Sequence, residues 1–179
     1  IVRNSTGVTL TKGQIVYLSG ATGNRPNAVL AQANTEATSS KTIGWVFANI
    51  SNNSDGYVCV SGSQHDLNTS ALTAGDALWL SPTVAGGITS TLPVQPNHAV
   101  FIGYCARSHP TQGRIVFKIQ NGYELNELHN VLITSVANNE GLFYESSTQL
   151  WKNKTIATVL GFTPEDSANK STSVLTDST

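Results

Sequence analysis

The chain has 179 residues and a formal net charge of −1, and only 12% of its residues are charged. This composition lacks the excess of positive charge that binding to nucleic acid or to an anionic membrane surface needs. No apolar run reaches the roughly 18 residues that a membrane-spanning helix needs. We therefore expect no nucleic-acid binding and no membrane insertion. Because the chain begins at Ile1 and lacks methionine, we also expect it to be a segment of a longer polypeptide.

Short apolar or alternating runs, separated by polar turns, fill the chain as far as residue 121. They predict about eight short strands. After an opening strand at Val2, the strands are expected at 14–19, 28–33, 42–48, 57–61, 77–80, 88–92, 99–107 and 114–120. Loops or turns are expected at 20–27, 34–41, 49–56 and 67–72, where Gly, Pro, Asn, Asp, Ser and Thr concentrate.

The turn signals recur about every 8–12 residues, which is typical of an all-β barrel or sandwich. We therefore predict a compact β-barrel or sandwich domain over residues 1–121. After Gly122 the pattern changes, and residues 122–179 are predicted to form an extended connector or fibre-like segment. It is expected to hold a short helix near 123–131, a β-hairpin built from 142–144 and 149–152, and a polar tail from Thr163.

A single hairpin of this size is not stable in isolation. Its aromatic and aliphatic side chains therefore need a partner surface, which could be the first domain or copies of the same segment. We favour the copies. The candidate intersubunit contacts are Leu142, Phe143, Tyr144, Leu150, Trp151 and Phe162.

The sequence contains no motif that predicts catalysis. Four histidines, His65, His98, His109 and His129, are far apart and form no zinc-binding spacing. No G-x-S-x-G elbow, CxxC motif or glycosidase carboxylate pair is present. We expect no enzyme activity, cofactor or metal, although the sequence leaves open a three-histidine site on the axis of a trimer.

The cysteines and tryptophans are interpreted mainly as structural residues. Cys59 and Cys105 lie in apolar strands and are expected to be buried reduced thiols. Trp45 and Trp79 also lie in strand patterns and are expected to fill the core. Trp151 is the better candidate for an exposed or intersubunit position, and exposed aromatic rings of this kind can stack on sugars.

Several segments are distinctive in combination. They are 4–17 (NSTGVTLTKGQIVY), 72–76 (LTAGD), 79–87 (WLSPTVAGG), 96–98 (PNH), 107–110 (RSHP), 120–129 (QNGYELNELH), 142–154 (LFYESSTQLWKNK) and 160–171 (LGFTPEDSANKS). Together they resemble a module of bacteriophage tail fibre and tail appendage proteins, over nearly the whole chain. This family brings no catalytic motif.

The resemblance implies a structural virion component located in the phage tail. It implies a homotrimeric β-rich module that connects the tail to, or is part of, the host-attachment apparatus, with other tail or virion proteins as partners. The run 73–92, which is Thr-Ala-Gly-Asp, a strand, Gly-Gly and a second strand, is also similar to small β-barrel capsid decoration proteins, so a decoration or cement protein is one alternative. A carbohydrate-binding module that holds a host-surface glycan is another. The host, the receptor and the position within a fibre are left open.

Overall fold

The structure, a computed structural model, describes residues 1–162 and confirms the all-β fold class. Its contacts divide the chain into two compact units, Ile1–Gly122 and Tyr123–Thr179. The polar tail predicted from Thr163 lies outside the described residues.

Eleven strands and one short helix, α1 (Glu36–Ser39), form the first unit. The strands are β1 (Val2–Asn4), β2 (Ile15–Thr22), β3 (Arg25–Leu30), β4 (Thr42–Val46), β5 (Ser54–Gly56), β6 (Val58–Cys59), β7 (Ser61–Leu67), β8 (Ala77–Leu80), β9 (Ile88–Thr89), β10 (Phe101–Arg107) and β11 (Gly113–Gln120). They form a six-stranded sheet, in the order β5-β1-β3-β2-β4-β6, and a five-stranded sheet, in the order β7-β11-β10-β8-β9. The arrangement is nearly closed and barrel-like.

The main core of the first unit draws side chains from both sheets. Trp45 of β4 stacks on Phe117 of β11, with ring centroids 4.0 Å apart and an interplanar angle of 12°. The indole Nε1 of Trp45 donates a hydrogen bond to Oε1 of the buried Gln64 side chain at 3.1 Å. A second buried cluster lies within the six-stranded sheet and its loops, around Leu10, Val16 and Val46. The first unit therefore buries its own apolar side chains.

The strands predicted at 99–107 and 114–120 correspond to β10 and β11, which form an antiparallel hairpin. Its turn is organised by His109, whose Nδ1 accepts hydrogen bonds from the backbone N–H groups of Thr111 and Gln112 at 3.1 and 2.9 Å. Thr69 also stabilises the turn, because its hydroxyl donates a hydrogen bond to the Arg107 carbonyl oxygen at 2.7 Å. The location of His109 is therefore explained by turn geometry.

In three places the structure contains β-strand where the sequence predicted a loop, a turn or the end of a strand. The predicted loop 20–27 is a hairpin, since β2 continues to Thr22 and β3 starts at Arg25. The predicted turn 49–56 ends in β5, and the residues after the predicted strand 57–61 continue as β7 to Leu67. Both β5 and β7 are polar strands at sheet edges. Edge strands need little apolar surface, so hydrophobic periodicity does not detect them.

The second unit contains a three-stranded sheet in the order β12-β14-β13. Its elements are β12 (Val131–Leu132), β13 (Glu140–Glu145), β14 (Leu150–Thr155) and α2 (Ile156–Leu160). The predicted hairpin is confirmed as the antiparallel pair of β13 and β14. The predicted helix near 123–131 is a single 3-10 turn, Leu125–Glu127.

The two cysteines differ in accessibility. Cys105 is buried, as predicted, whereas Cys59 is only half-buried because β6 is an edge strand of its sheet. Both thiols are free, and burial raises the pKa of the Cys105 thiol. The thiolate is the reactive form.

We therefore expect Cys105 to react slowly with a thiol reagent in the native protein and rapidly after unfolding. A Cys59→Ser variant isolates this thiol for the measurement, and Cys105→Ser reports Cys59 alone as the control. Rapid labelling of the native Cys59→Ser protein would contradict the burial of Cys105.

Candidate functional site

The second unit lacks a buried core over the residues that the structure describes. None of residues 123–162 is buried, whereas all seventeen buried hydrophobic residues lie in the first unit. The large exposed hydrophobic residues of the second unit are Tyr123, Leu125, Leu128, Leu132, Val136, Tyr144, Trp151, Ile156, Val159, Leu160 and Phe162. Exposed apolar surface is typical of interaction sites when it is contiguous, which makes this unit the candidate functional site.

One face of the β13–β14 hairpin presents an aromatic pair. Tyr144 lies directly opposite Trp151 in the register, and their ring centroids are 5.5 Å apart. The two residues are 53% and 40% exposed. Leu142, two residues from Tyr144 along β13, points to the same side. This face therefore combines aromatic and aliphatic surface that no described residue buries.

The opposite face of the hairpin combines an apolar ring with a charged network. Phe143 lies opposite Lys152, and Leu150 lies opposite Glu145. The Phe143 ring covers Gly141, where an added Cβ would come within 2.8 Å of the ring. The Glu145 carboxylate forms ion pairs with both Lys152 and Lys154. One carboxylate thus serves two ammonium groups, and one positive charge of this face remains uncompensated.

These lysines affect the titration of Glu145. The pKa of its carboxyl is lowered from 4.5 to about 2, mainly because Lys152 donates a hydrogen bond to it and further because Lys154 and Thr148 do. A carboxyl with a depressed folded-state pKa stabilises the fold above its unfolded pKa, and this contribution is lost as pH falls through the folded value. We therefore expect the hairpin to keep this contribution at pH 5 and above and to lose it between pH 4.5 and about 2.

An NMR titration of the Glu145 carboxyl carbon measures this effect, and we expect a midpoint near 2. In Lys152→Ala the midpoint should move towards 4.5, whereas in Lys41→Ala, which changes an exposed lysine of the first unit, it should stay in place. A midpoint near 4.5 in the unsubstituted chain would show that the ion pairs do not persist in solution.

The structure places five of the six predicted intersubunit residues in this hairpin. Leu142, Tyr144 and Trp151 share one face, and Phe143 and Leu150 share the other. Phe162 instead follows α2 and is 62% exposed.

Sequence reasoning missed a second aromatic surface, on the outside of the five-stranded sheet, in which Tyr104 is exposed and Trp79 and Phe101 are half-buried. Trp79 was expected in the core, and this is wrong. Its neighbours Leu78 and Leu80 are fully buried, so the alternation of β8 turns Trp79 to the outer face. There it packs edge-to-face on Phe101, with centroids 5.4 Å apart, and Phe101 packs in the same way on Tyr104 at 5.2 Å. The alternation of Ala77–Leu80 was the sequence signal for this placement.

The histidines do not converge on a common site in the described residues. His98 Nδ1 lies 3.2 Å from a carboxylate oxygen of Glu36, His109 organises a turn, and His65 lies on β7. Within residues 1–162, no three His, Cys, Asp or Glu side chains are grouped closely enough to hold a metal ion. No helix in this part of the chain has the length and apolar character needed to cross a bilayer.

Comparison with known proteins gives no relative: no family model matches the chain, and no curated protein matches it. The two surfaces described above are therefore the observations from which a function can be argued.

Proposed function

We propose that this chain is a structural component of a bacteriophage tail fibre or tail appendage, located in the virion, in which three copies associate through the second unit. In this role it connects the tail to the host-attachment apparatus or forms part of it. The observation that carries the proposal is the absence of any buried residue among residues 123–162, in a chain whose first unit has its own core. The sequence resemblance to tail fibre modules supports the same role.

The described part of the second unit, residues 123–162, has no hydrophobic core of its own. A three-stranded sheet needs an apolar face packed against another element to be stable. Here one face carries Tyr144 and Trp151, and the other carries Phe143 and Leu150. Other copies of the same unit provide apolar surface of matching size. Glu145 pairs with both nearby lysines, so a single positive charge on this face remains uncompensated.

The presence of apolar groups on both faces favours a cyclic assembly. A two-fold dimer that joins identical faces would bury one face of the hairpin and leave the other exposed. A contact between unlike faces buries both faces. It forms a closed ring when the rotation between successive copies is a whole-number fraction of a full turn. A ring of three is the smallest assembly of this kind that goes beyond a dimer, and it agrees with the trimer that the resemblance implies.

The first unit suits a rigid docking or spacer domain. Its two buried clusters and nearly closed sheets need no partner for stability. A compact decoration protein would need this unit alone, so the presence of an apolar second unit favours the fibre role over the decoration role.

The solution mass of the full chain, measured by light scattering at micromolar concentration, tests this proposal. Three times the single-chain mass of 18.9 kDa is the expected result. A single-chain mass over the whole accessible concentration range would overturn the trimer and with it the proposed role of the second unit.

A further inference from the structure

We infer that the outer face of the five-stranded sheet binds an acidic polysaccharide. This aromatic–basic face consists of Trp79, Phe101, Tyr104, Arg107, Arg114, Lys118 and His65. It belongs entirely to the first unit, so the inference does not depend on trimer formation through the second unit.

The pairing register places the aromatic members of this face side by side. Trp79 of β8 lies opposite Phe101 of β10, and Tyr104 follows further along β10. Edge-to-face contacts join the three rings into one continuous strip, and Tyr104 at its end is 50% exposed. Aromatic rings on an open sheet offer flat apolar surface to the C–H faces of sugar rings. Tyr104 is the ring most accessible to a ligand.

Basic side chains continue the face beyond Tyr104. Arg107 lies opposite Arg114, and Arg114 lies opposite His65, so these three residues form one row across β10, β11 and β7. Lys118 points outward from β11 on the same side as Arg114, since these residues are separated by an even number of positions. Val116, between them on β11, lies opposite Tyr104. The aromatic strip and the basic row therefore adjoin each other.

The charge of this face differs from that of the chain as a whole. The five strands of the sheet contain Arg107, Arg114 and Lys118 but only one acidic residue, Asp66. Among the described residues, none of these three cations forms an ion pair, whereas the lysines and arginines that do form ion pairs are on other strands. A chain of net charge −1 thus concentrates unneutralised positive charge on one sheet face. Carboxylate or other anionic groups of a ligand would complement it.

Neutral polar groups surround the same face. Thr89 lies opposite Trp79, Gln120 lies opposite Phe101, and Ser63 lies opposite Val116. Hydroxyl and amide groups of this kind can both donate and accept hydrogen bonds, as sugar hydroxyls do. The combination of apolar rings, cations and a hydroxyl rim on an open surface fits a linear acidic glycan.

A single-stranded nucleic acid is less compatible with this geometry. It would need a basic groove that follows the phosphates and ring faces free for successive bases to stack on. Here Tyr104 is the only one of the three rings that is exposed, whereas Trp79 and Phe101 are half-buried, so successive bases find no row of free ring faces. The three cations lie on only two strands. A glycan with more widely spaced charges needs fewer cations and fewer exposed rings for binding.

The test uses the full chain and two matched probes in isothermal titration calorimetry. One probe is an oligogalacturonate, which carries a carboxylate on every sugar, and the other is its fully methyl-esterified, uncharged form. We expect the charged probe to bind, with an affinity that falls as salt rises. The esterified probe should bind at least about tenfold more weakly, a difference of about 1.4 kcal/mol.

Single substitutions on this face measure the aromatic and the cationic contributions to binding separately. Tyr104→Ala and Arg114→Gln are each expected to weaken binding of the charged probe at least about tenfold, and Arg114→Gln should also reduce the salt dependence. Tyr57→Ala and Lys41→Gln, which change exposed residues outside this face, are the matched controls and should bind as the unsubstituted chain does. Unchanged thermal unfolding confirms that each variant is folded.

Three results would overturn the inference. The first is no heat of binding for the charged probe up to millimolar concentration. The second is equal binding of the charged and esterified probes or of the face variants and their controls. The third is tighter binding of an oligothymidylate than of the oligogalacturonate, which would assign the face to nucleic acid. None of these results bears on the mass of the full chain, so failure here and failure of the trimer remain separate.

Discussion

Truncation after Gly122 is expected to convert a trimeric chain into a folded monomer. The first unit keeps both of its buried clusters in the truncated chain, because no member of either cluster lies beyond Ile119. The residues removed include all the exposed apolar surface from which we infer the intersubunit contact. Light scattering of residues 1–122 and of the full chain measures the change in mass, and circular dichroism and thermal unfolding show whether the truncated chain stays folded.

A substitution within the full chain sharpens this test. Trp151→Lys places a charge on the aromatic face of the hairpin, and we expect it to shift the assembly towards monomers at micromolar concentration. Asn138→Lys is the matched control, since Asn138 is an exposed polar residue of the same unit and lies outside the hairpin. A truncated chain that remains trimeric would refute the placement of the interface, whatever the two substitutions do.

Replacing Trp45 with alanine is expected to have the largest effect on the stability of the first unit. The side chain is 1% exposed, stacks on Phe117 and satisfies the Gln64 amide oxygen. Large-to-small substitution of a buried tryptophan costs about 3–5 kcal/mol. The loss of the indole donor adds the cost of leaving a buried acceptor unsatisfied. Denaturant unfolding monitored by circular dichroism gives the free energy of unfolding of each variant.

Trp79→Ala is the matched control for this substitution. It removes the same side chain from the outer face of the five-stranded sheet, where no cavity is created in the core. We expect it to cost less than Trp45→Ala by about 2 kcal/mol or more, since surface substitutions have small effects. Equal losses for the two variants would contradict the assignment of Trp45 to the core and of Trp79 to the outer face.

Local patterns in the sequence were sufficient to predict the fold class and several strands. The strand predicted at 77–80 coincides with β8, and the strand predicted at 114–120 lies within β11, where buried Ile115 and Phe117 alternate with exposed Val116. The hairpin of the second unit was also predicted, because its two apolar runs are close in sequence and separated by a polar turn. These features depend on residue spacing within one strand or one hairpin, which the sequence contains directly.

The features that were missed depend on pairing between distant strands. The face that joins Trp79, Tyr104 and Arg114 exists because β8, β10 and β11 are neighbours in one sheet and in one particular register. A shift of a single residue in the register would turn one of these side chains to the other side. The expectation that Trp79 fills the core came from its residue type. It overlooked that Leu78 and Leu80 both face the core, which turns the residue between them to the outer face.

The position of β1 between β3 and β5 affects the order in which the chain can fold. The first strand pairs with residues 27 and 54–56, so its hydrogen bonds form only after loops of about 20 to 50 residues close, at an entropic cost. The β13–β14 hairpin closes over a much shorter segment and forms quickly, yet it has no core to hold it. Non-local pairing of this kind slows folding. We therefore expect completion of the first unit to be slower than formation of the hairpin.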